Sequence, residues 1–312
     1  MEKNKSNDLN SYDHIDLNEL FFILWNKKLL ILLATSIFAI LSINYSLRLP
    51  NIYTSEALLA PSNQSESMNS TLASYSALAG LAGVSLPTGS ASKSQEAIER
   101  MQSLDFFSNY FLPKINLQDL MAVSTWVPET NSLNYDASLF DQKSNKWVRS
   151  VSFPKTTVPS NQEAHKIFMN IFSFSEDSSS GFVSIAIDHQ SPYIAKKWVE
   201  IIIKNINESM READKNLSIE AINFLNERAK VTRLTDLKDA ISQLLESQMQ
   251  TLMMASVAEG YVFKTISSPV VSEEKSAPSR SLICILGTIF GFFMGIILAL
   301  AIHFYKNFKE KS

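Results

Sequence analysis

Side chains that could catalyse a reaction or hold a metal ion are few in this chain and widely separated. There are four histidines, His14, His165, His189 and His303, and a single cysteine, Cys284. Metal sites take histidine, cysteine and carboxylate ligands at short, recurring spacings. None of the four histidines pairs with such a residue at that spacing, so the sequence predicts no metal site.

Two serine–lysine pairs have the spacing S-x-x-K, in which a lysine activates a serine nucleophile. They are Ser90 with Lys93 and Ser272 with Lys275. The S-D-N and K-T-G motifs that accompany such a pair in penicillin-binding enzymes are absent. The glycine-containing stretch 80–89 likewise lacks the Gly-Lys-Ser/Thr that places a lysine on a phosphate. We interpret these as chance matches and predict no catalytic residue and no cofactor.

Carboxylates are the remaining candidates, because a pair of them can cleave a glycosidic bond. Five acidic residues recur at the spacing of a solvent-exposed helix face, namely Glu220, Glu227, Asp236, Asp239 and Glu246. We therefore predict that the protein is not an enzyme. A glycan-processing enzyme is a competing hypothesis, which cleavage or transfer of glycan by the purified protein alone would support.

Composition narrows the class of protein further. The 312 residues carry a formal net charge of −3 and a pI near 5.9, which gives no indication of a nucleic-acid partner. With Cys284 as the only cysteine, the chain cannot form an internal disulfide. The stability of any folded domain must therefore come from packing, within one chain or between subunits.

Two apolar stretches long enough to cross a membrane lie near the two ends of the chain. Residues 281–305 contain no Lys, Arg, Asp or Glu, and residues 29–48 have only the terminal Arg48 as a charge. A helix of about 20 residues spans the hydrocarbon core of a bilayer, so we predict two transmembrane helices. The first stretch could instead be a cleaved signal peptide, but it is longer than usual and no small-x-small cleavage site follows it.

Lysines flank the outer ends of both predicted spans, at 27–28 and again within 306–311. Cytoplasmic segments of membrane proteins carry an excess of Lys and Arg, so both termini are predicted to be cytoplasmic. The terminal segments are too short to bury a core. The predicted division is a cytoplasmic segment 1–28, a first span 29–48, an extracytoplasmic domain 49–280, a second span 281–305 and a cytoplasmic tail 306–312.

Three glycines of the second span, Gly287, Gly291 and Gly295, lie four residues apart on one helix face. Small residues at this spacing let another membrane helix approach the backbone closely. We predict a packing face here, and we expect Gly291→Leu to weaken assembly or association with a polymerase. The competing interpretation is that these glycines are merely tolerated, because glycine is common in membrane helices.

The domain between the spans is predicted to contain strands and helices. β-branched and apolar runs predict four strands, near 51–60, 166–175, 181–188 and 261–268. The middle two are expected to form a hairpin, and a helical pattern covers 94–112. Pro269 and Pro278 are expected to bring the chain back to the second span in an extended conformation.

Two further helices are predicted near the N-terminus. Asp16 and Glu19 fit a capping box, which predicts a helix that either lies at the membrane interface or extends the first span. Residues 68–81, within a stretch rich in Ser, Ala and Gly, are expected to form a weak helix on a surface segment.

A very long helix is predicted over about 192–259. Ser191 can cap it, Pro192 suits its first position, and no Pro or Gly occurs between 193 and 259. A bend is possible near 232–236. A helix this long needs neighbours along its length, which favours an oligomer. The residues predicted to make these contacts approximate a heptad seam, at Leu234, Leu237, Ile241 and Leu244.

Several short motifs occur in a fixed order along the chain. Ile15-Asp16-Leu17 and Leu24-Trp25 precede the first span, followed by 53–61 (YTSEALLAP), 191–198 (SPYIAKKW), 220–225 (EAINFL) and 275–280 (KSAPSR). In this order, between two terminal spans, they resemble the Wzz family of bacterial polysaccharide co-polymerases, the O-antigen chain-length determinants. The resemblance covers nearly the whole chain.

The resemblance implies a non-enzymatic inner-membrane protein of α+β class. In such proteins a small α/β base near the membrane carries a very long extended helix, and the periplasmic domains form a ring, often an octamer. The family acts with the Wzy polymerase on undecaprenyl-pyrophosphate-linked glycan and sets its modal length. No cofactor is implied.

Two other functions compete with this one. The stretch 80–89 is similar to relatives that serve capsule or exopolysaccharide export, so the alternative is an adaptor that works with a separate tyrosine kinase. A two-span receptor would instead need a cytoplasmic output module, which residues 306–312 do not supply. We therefore expect regulation of the chain length of O-antigen or of enterobacterial common antigen, with O-antigen as the main prediction.

Overall fold

The computed structural model describes residues 24–62, 93–231, 235–257 and 260–311. The chain divides into two compact units, one containing both terminal helices and the other spanning Asn51–Ser276. The predicted α+β class is confirmed. The predicted helices that begin at Asp16 and cover 68–81 lie outside the described residues.

Both terminal helices are long and apolar enough to cross a membrane. Helix α1 runs over Lys28–Arg48 and helix α8 over Arg280–Lys311. The mean hydropathy of their candidate spans is 2.0 for Lys28–Arg48 and 2.6 for Arg280–Tyr305. Helix α8 continues beyond the apolar run to Lys311.

Among its described residues, the second unit contains six α-helices, a π-helix (Phe107–Phe111), a 3₁₀ helix (Leu112–Lys114) and eight strands. The helices are α2 (Lys93–Gln102), α3 (Leu104–Phe106), α4 (Leu117–Met121), α5 (Asn161–Ile171), α6 (Pro192–Val231) and α7 (Thr235–Val257). The strands are β1 (Tyr53–Pro61), β2 (Val123–Val127), β3 (Ser132–Tyr135), β4 (Phe140–Asp141), β5 (Lys146–Trp147), β6 (Phe172–Glu176), β7 (Val183–His189) and β8 (Phe263–Ser267).

Four of these strands form an antiparallel sheet in the order β6-β7-β1-β8. Tyr53 pairs with His189 and Phe172 pairs with Ile187. The predicted hairpin partners, β6 and β7, are adjacent. The last strand, β8, pairs with β1 and not with the hairpin, so the first and last strands of the unit are neighbours.

One face of the sheet is buried against helices. Alternate residues of β7, Val183, Ile185 and Ile187, are at most 1% exposed, as expected where side chains alternate between two faces. The helices cover them with aromatic rings. Phe111 lies 4.8 Å from Phe168 between ring centroids, and its ring meets Trp198 edge-on. The core therefore lies between the sheet and helices α5 and α6.

The predicted strand at 166–175 is wrong over most of its length. Residues Asn161–Ile171 form α5, and only Phe172–Glu176 form a strand. The helix begins with a capping box in which Ser160 and Glu163 satisfy each other's backbone amides. Arg149 also donates two bonds to the Glu163 carboxylate, at 3.1 and 2.7 Å, and lowers its pKa to about 2. The alternation of apolar and polar residues over 166–175 suggested a strand, but the buried side chains are Ala164 and Phe168, four residues apart, which is the spacing of a helix.

The predicted helix over 192–259 is divided into two. Helix α6 is a very long helix of 40 residues, and α7 packs against it as a separate element. Only residues 232–234 connect them, so they run antiparallel. Folding back lets α7 bury Ile241, Thr251 and Ala255. A single straight helix would have left these positions facing water.

Candidate functional site

The residues considered for chemistry do not converge. Within the described ranges, no group of three or more His, Cys, Asp and Glu side chains could hold a metal ion. Lys93, the lysine of one S-x-x-K match, is paired with Asp214 at 2.5 Å, and Tyr261 donates to the same carboxylate. Burial raises the pKa of Tyr261 well above its usual value. Lys93 is thus engaged in joining α2 to α6.

The glycine face of α8 packs against α1 of the same chain. A Cβ added to Gly291 would lie 2.5 Å from the Cβ of Phe38, and one added to Gly295 would lie 3.0 Å from the Cα of Ile31. A Cβ on Gly287 would overlap the side chain of Ser42. At Gly287 and Gly291 these distances leave no room for a side chain, whereas at Gly295 a small side chain fits if its neighbours yield by a few tenths of an ångström. The absence of side chains at these positions lets the two backbones approach closely.

Other small and aromatic residues complete the helix pair. Ala34, Ser46 and Ala299 are buried between the helices, at 8%, 1% and 0% exposure. The rings of Phe38 and Phe290 meet edge-on with centroids 5.4 Å apart. This edge-to-face arrangement adds attraction to the close backbone contact. The pair is thus held by van der Waals contact and ring geometry.

The residues predicted to form the long-helix seam separate in the structure. Ile241 is 7% exposed and Leu244 is 47% exposed. Leu237 lies in α7 and Leu234 lies outside the described residues. Ile241 therefore takes part in packing within one chain, whereas Leu244 remains available to a neighbour.

The segment that leads back to α8 is attached to the beginning of β1. The backbone N–H of Ser276 donates to the carbonyl of Ile52 at 2.9 Å, and the hydroxyl of Ser55 donates to the carbonyl of Val270 at 2.8 Å. Pro269 precedes this attachment and Pro278 follows it. No helix or strand lies between Ser267 and Arg280.

Asn207 joins α6 to β8, a role that was not predicted from the sequence. Its Oδ1 accepts the backbone N–H groups of Val262 and Phe263 at 2.8 and 2.9 Å, and its Nδ2 donates to the Phe263 carbonyl at 3.1 Å. The side chain is 7% exposed. The sequence does contain a sign of this role, because Asn207 is a polar residue on the apolar helix face that includes Ile203 and Met210.

A cavity of about 670 Å³ lies beside Asn207, between α6 and β8. Its charged lining is mixed, with lysine and arginine facing glutamate. The residues concerned are Glu200, Lys204, Glu208, Arg211 and Lys264. This balance of charge favours no particular ligand.

His189 is buried at the start of α6, with 4% exposure. Its Nδ1 accepts the backbone N–H of Ser191 at 2.9 Å, and its Nε2 lies 2.9 Å from the carbonyl of Asp119. A neutral ring protonated on Nε2 satisfies both contacts. Burial lowers the pKa of His189 below its usual value.

We expect this histidine to make the second unit less stable in mild acid. Its pKa is lower in the folded state than in the unfolded state, so its contribution is complete above the unfolded pKa of about 6.5 and is lost as the pH falls below it. Unfolding of the full chain should require less denaturant at about pH 5.5 than at about pH 7.5. His189→Gln should remove this part of the pH dependence; an unchanged profile in the variant would contradict the assignment.

Residues 13–111 match the family described as Wzz, chain length determinant protein. No curated protein matches the chain. Among solved structures, a full-length bacterial polysaccharide co-polymerase is 13% identical with a TM-score of 0.41, covering 94% of this chain and 99% of that one. A fragment of WzzB, a polysaccharide co-polymerase from Salmonella Typhimurium, is 14% identical with a TM-score of 0.26, covering 73% and 100%.

The matched residues include the first three of the sequence motifs, at 15–17, 24–25 and 53–61. They also include helices α1 and α2 and strand β1. The motifs at 191–198, 220–225 and 275–280 lie outside the match. The predicted resemblance is confirmed over residues 13–111, where this chain matches the Wzz family of chain length determinant proteins.

Proposed function

We propose that this protein is a non-enzymatic co-polymerase that sets the modal chain length of O-antigen made by a Wzy-type polymerase. The observation that carries the proposal is the match of residues 13–111 to the chain length determinant family. The polymer would be extended on an undecaprenyl-pyrophosphate carrier in the inner membrane. The protein would act there as a homo-oligomeric scaffold, in a ring that is often an octamer in the resembled family.

The arrangement of elements supports a scaffold. Two candidate membrane helices bracket the second unit, and their partner faces are filled by each other's side chains. We propose that both termini are cytoplasmic and that Asn51–Ser276 is periplasmic, because lysines flank the outer ends of both spans. A tethered domain of this kind can hold a polymerase and a growing glycan near each other without reacting with either.

The lipopolysaccharide ladder tests this proposal. A strain that lacks the gene should show a random distribution of O-antigen lengths, and the same strain carrying the gene should regain a modal cluster. A gene copy with an early stop codon controls for the vector. An unchanged ladder in the deletion strain would reject chain-length control of O-antigen.

The same strains test the alternative. If the ladder is unchanged while capsule or secreted polysaccharide changes, the protein is an adaptor for polymerisation and export of that polymer. In that case a separate tyrosine kinase would be expected as its partner.

A further inference from the structure

Three aromatic rings form a cluster at the end of the sheet where β1 begins. Tyr53 and Trp126 meet edge-on with ring centroids 5.5 Å apart, and Trp126 lies 6.2 Å from Tyr193. Tyr193 is 51% exposed, and the other two rings are half-buried. We call these three residues the aromatic cluster. None of them belongs to the core between the sheet and helices α5 and α6, so their ring surface is available to a partner.

Elements from distant parts of the chain bring these rings together. Tyr53 is the first residue of β1 and pairs with His189, the last residue of β7. Tyr193 lies in the first turn of α6, which begins just after β7. Trp126 comes from β2, and its Nε1–H donates to the Oδ1 of Asn131 at 2.9 Å. The orientation of the indole ring is thus fixed by the fold itself.

Chain length keeps this end of the sheet close to the membrane. Arg48, the last residue of the first candidate span, is five residues before Tyr53, and an extended chain of that length reaches at most about 18 Å. Ser276 is four residues before Arg280, where the second candidate span begins, which allows about 14 Å. Both limits depend only on covalent connection and hold for any arrangement of the two units. Because Ser276 is hydrogen-bonded to Ile52, both connections leave the second unit at one place.

A lysine lies beside the aromatic cluster on α6. Lys197 is four residues after Tyr193, and side chains at this spacing are neighbours on a helix surface. Lys197 is exposed, and within the described ranges no carboxylate is at ion-pair distance from it, whereas Lys196 pairs with Glu200 at 3.7 Å. A lysine can carry its ammonium group to a phosphate while its methylene stem stays against apolar surface. The surface therefore combines three rings with a cation.

We propose, on the membrane topology given above, that the aromatic cluster and Lys197 bind the phospholipid headgroups of the extracytoplasmic membrane surface. Tyr and Trp are enriched at membrane–water interfaces, because their rings are apolar at one end and polar at the other. The headgroup layer is about 5–8 Å thick on each side of the hydrocarbon core. The lengths of the two connections let the rings reach this layer. Binding would hold the second unit in one orientation on the bilayer, which flexible connections alone do not do.

The same connections make a soluble protein a poor partner for this surface. They limit the space between the membrane and the beginning of β1 to at most about 18 Å. A folded domain of about 100 residues has a radius of gyration of about 13 Å, so it is wider than this space. Lipid is already present there and needs no further room.

The fluorescence of Trp126 tests the contact in the full-length protein reconstituted into vesicles. The chain contains four tryptophans. Trp25→Phe and Trp147→Phe remove two of them, and Trp198 stays because it is buried in the core. Phosphatidylcholine with brominated acyl chains quenches only indole rings that lie close to it, so it should remove most of the Trp126 emission. The same chain with Trp126→Phe gives the signal of Trp198, which is subtracted.

Removing the other exposed members distinguishes binding from mere proximity. Tyr193→Ser with Lys197→Gln, in the same chain, should restore most of the Trp126 emission, because the second unit is then free to turn away from the lipid. Asn223→Ser with Asn226→Gln, at exposed positions further along α6, is the matched control and should leave the quenching unchanged. Equal quenching in the two double variants would show that the connections alone bring Trp126 near lipid, and would overturn the proposal.

Trp25 provides the control for membrane insertion. In a chain that keeps Trp25 and carries Trp126→Phe and Trp147→Phe, the tryptophan just before the first candidate span should be quenched in the same vesicles. Quenching of Trp25 without quenching of Trp126 would overturn the binding of headgroups while leaving the membrane topology intact. These vesicles contain no glycan, so the lipopolysaccharide ladder tests the proposed function separately from this contact.

Discussion

Asn207→Leu is expected to destabilise the second unit by about 3 kcal/mol or more. The variant leaves the buried backbone N–H groups of Val262 and Phe263 without the oxygen that accepts both of them. Each buried donor without a partner costs about 1–3 kcal/mol. Leucine has the same number and branching of side-chain heavy atoms as asparagine, so the substitution removes the hydrogen bonds without creating a cavity.

Denaturant unfolding of the full-length protein in detergent measures this loss, followed by the fluorescence of the buried Trp198. Asn226→Leu, on an exposed position of the same helix, is the matched control and should stay within about 0.5 kcal/mol of the wild type. If Asn207→Leu behaves like this control, Asn207 does not hold β8 on α6.

Gly291→Leu is expected to separate the two membrane helices. A leucine side chain there must occupy the volume of Phe38, whose Cβ lies 2.5 Å from the position of an added Cβ. Overpacking of a close contact costs about 1–3 kcal/mol, and the alternative is for α8 to move away from α1. We expect the helices to move apart, because lipid can fill the space between them.

Formation of a disulfide between α1 and α8 reports whether these two helices are close together. In a chain with Cys284→Ala, the pair Ala34→Cys and Gly295→Cys should oxidise within one chain, because their Cβ positions are 3.3 Å apart. Adding Gly291→Leu should abolish this bond. Ile297→Leu, on the exposed side of α8, should not. Retention of the bond in the Gly291→Leu chain would show that the pair tolerates the larger side chain.

The elements that could be predicted from the sequence are those whose pattern is set by the spacing of nearby residues. Predicted strands near 51–60, 181–188 and 261–268 overlap β1, β7 and β8, because alternation over a short range reports a half-buried strand. The prediction was wrong at α5, where the capping box at Ser160 and the contact of Arg149 with Glu163 stabilise the start of a helix. The contact of Arg149 with Glu163 joins residues fourteen positions apart, which no local pattern can show.

The candidate site shows the same limit. Four-residue spacing was enough to mark Gly287, Gly291 and Gly295 as a small-residue face, but their partners, such as Phe38, lie far away in sequence. The absence of Pro and Gly between 193 and 259 suggested one helix, although it cannot distinguish a straight helix from two that fold back on each other. Asn207 was missed because a single asparagine in a long helix resembles any solvated position.

Pairing of β1 with β8 gives the chain a further property. The backbone N–H of Ser62, just after β1, donates to the carbonyl of Val262, just before β8, at 2.9 Å. The chain between them includes β6 and β7, whose positions are fixed because β7 pairs with β1, and the hairpin of α6 and α7, which has no strand partner at its connected end. Homologues of different size are thus expected to differ by paired insertions of whole heptads in α6 and α7, while the order of the four strands is retained.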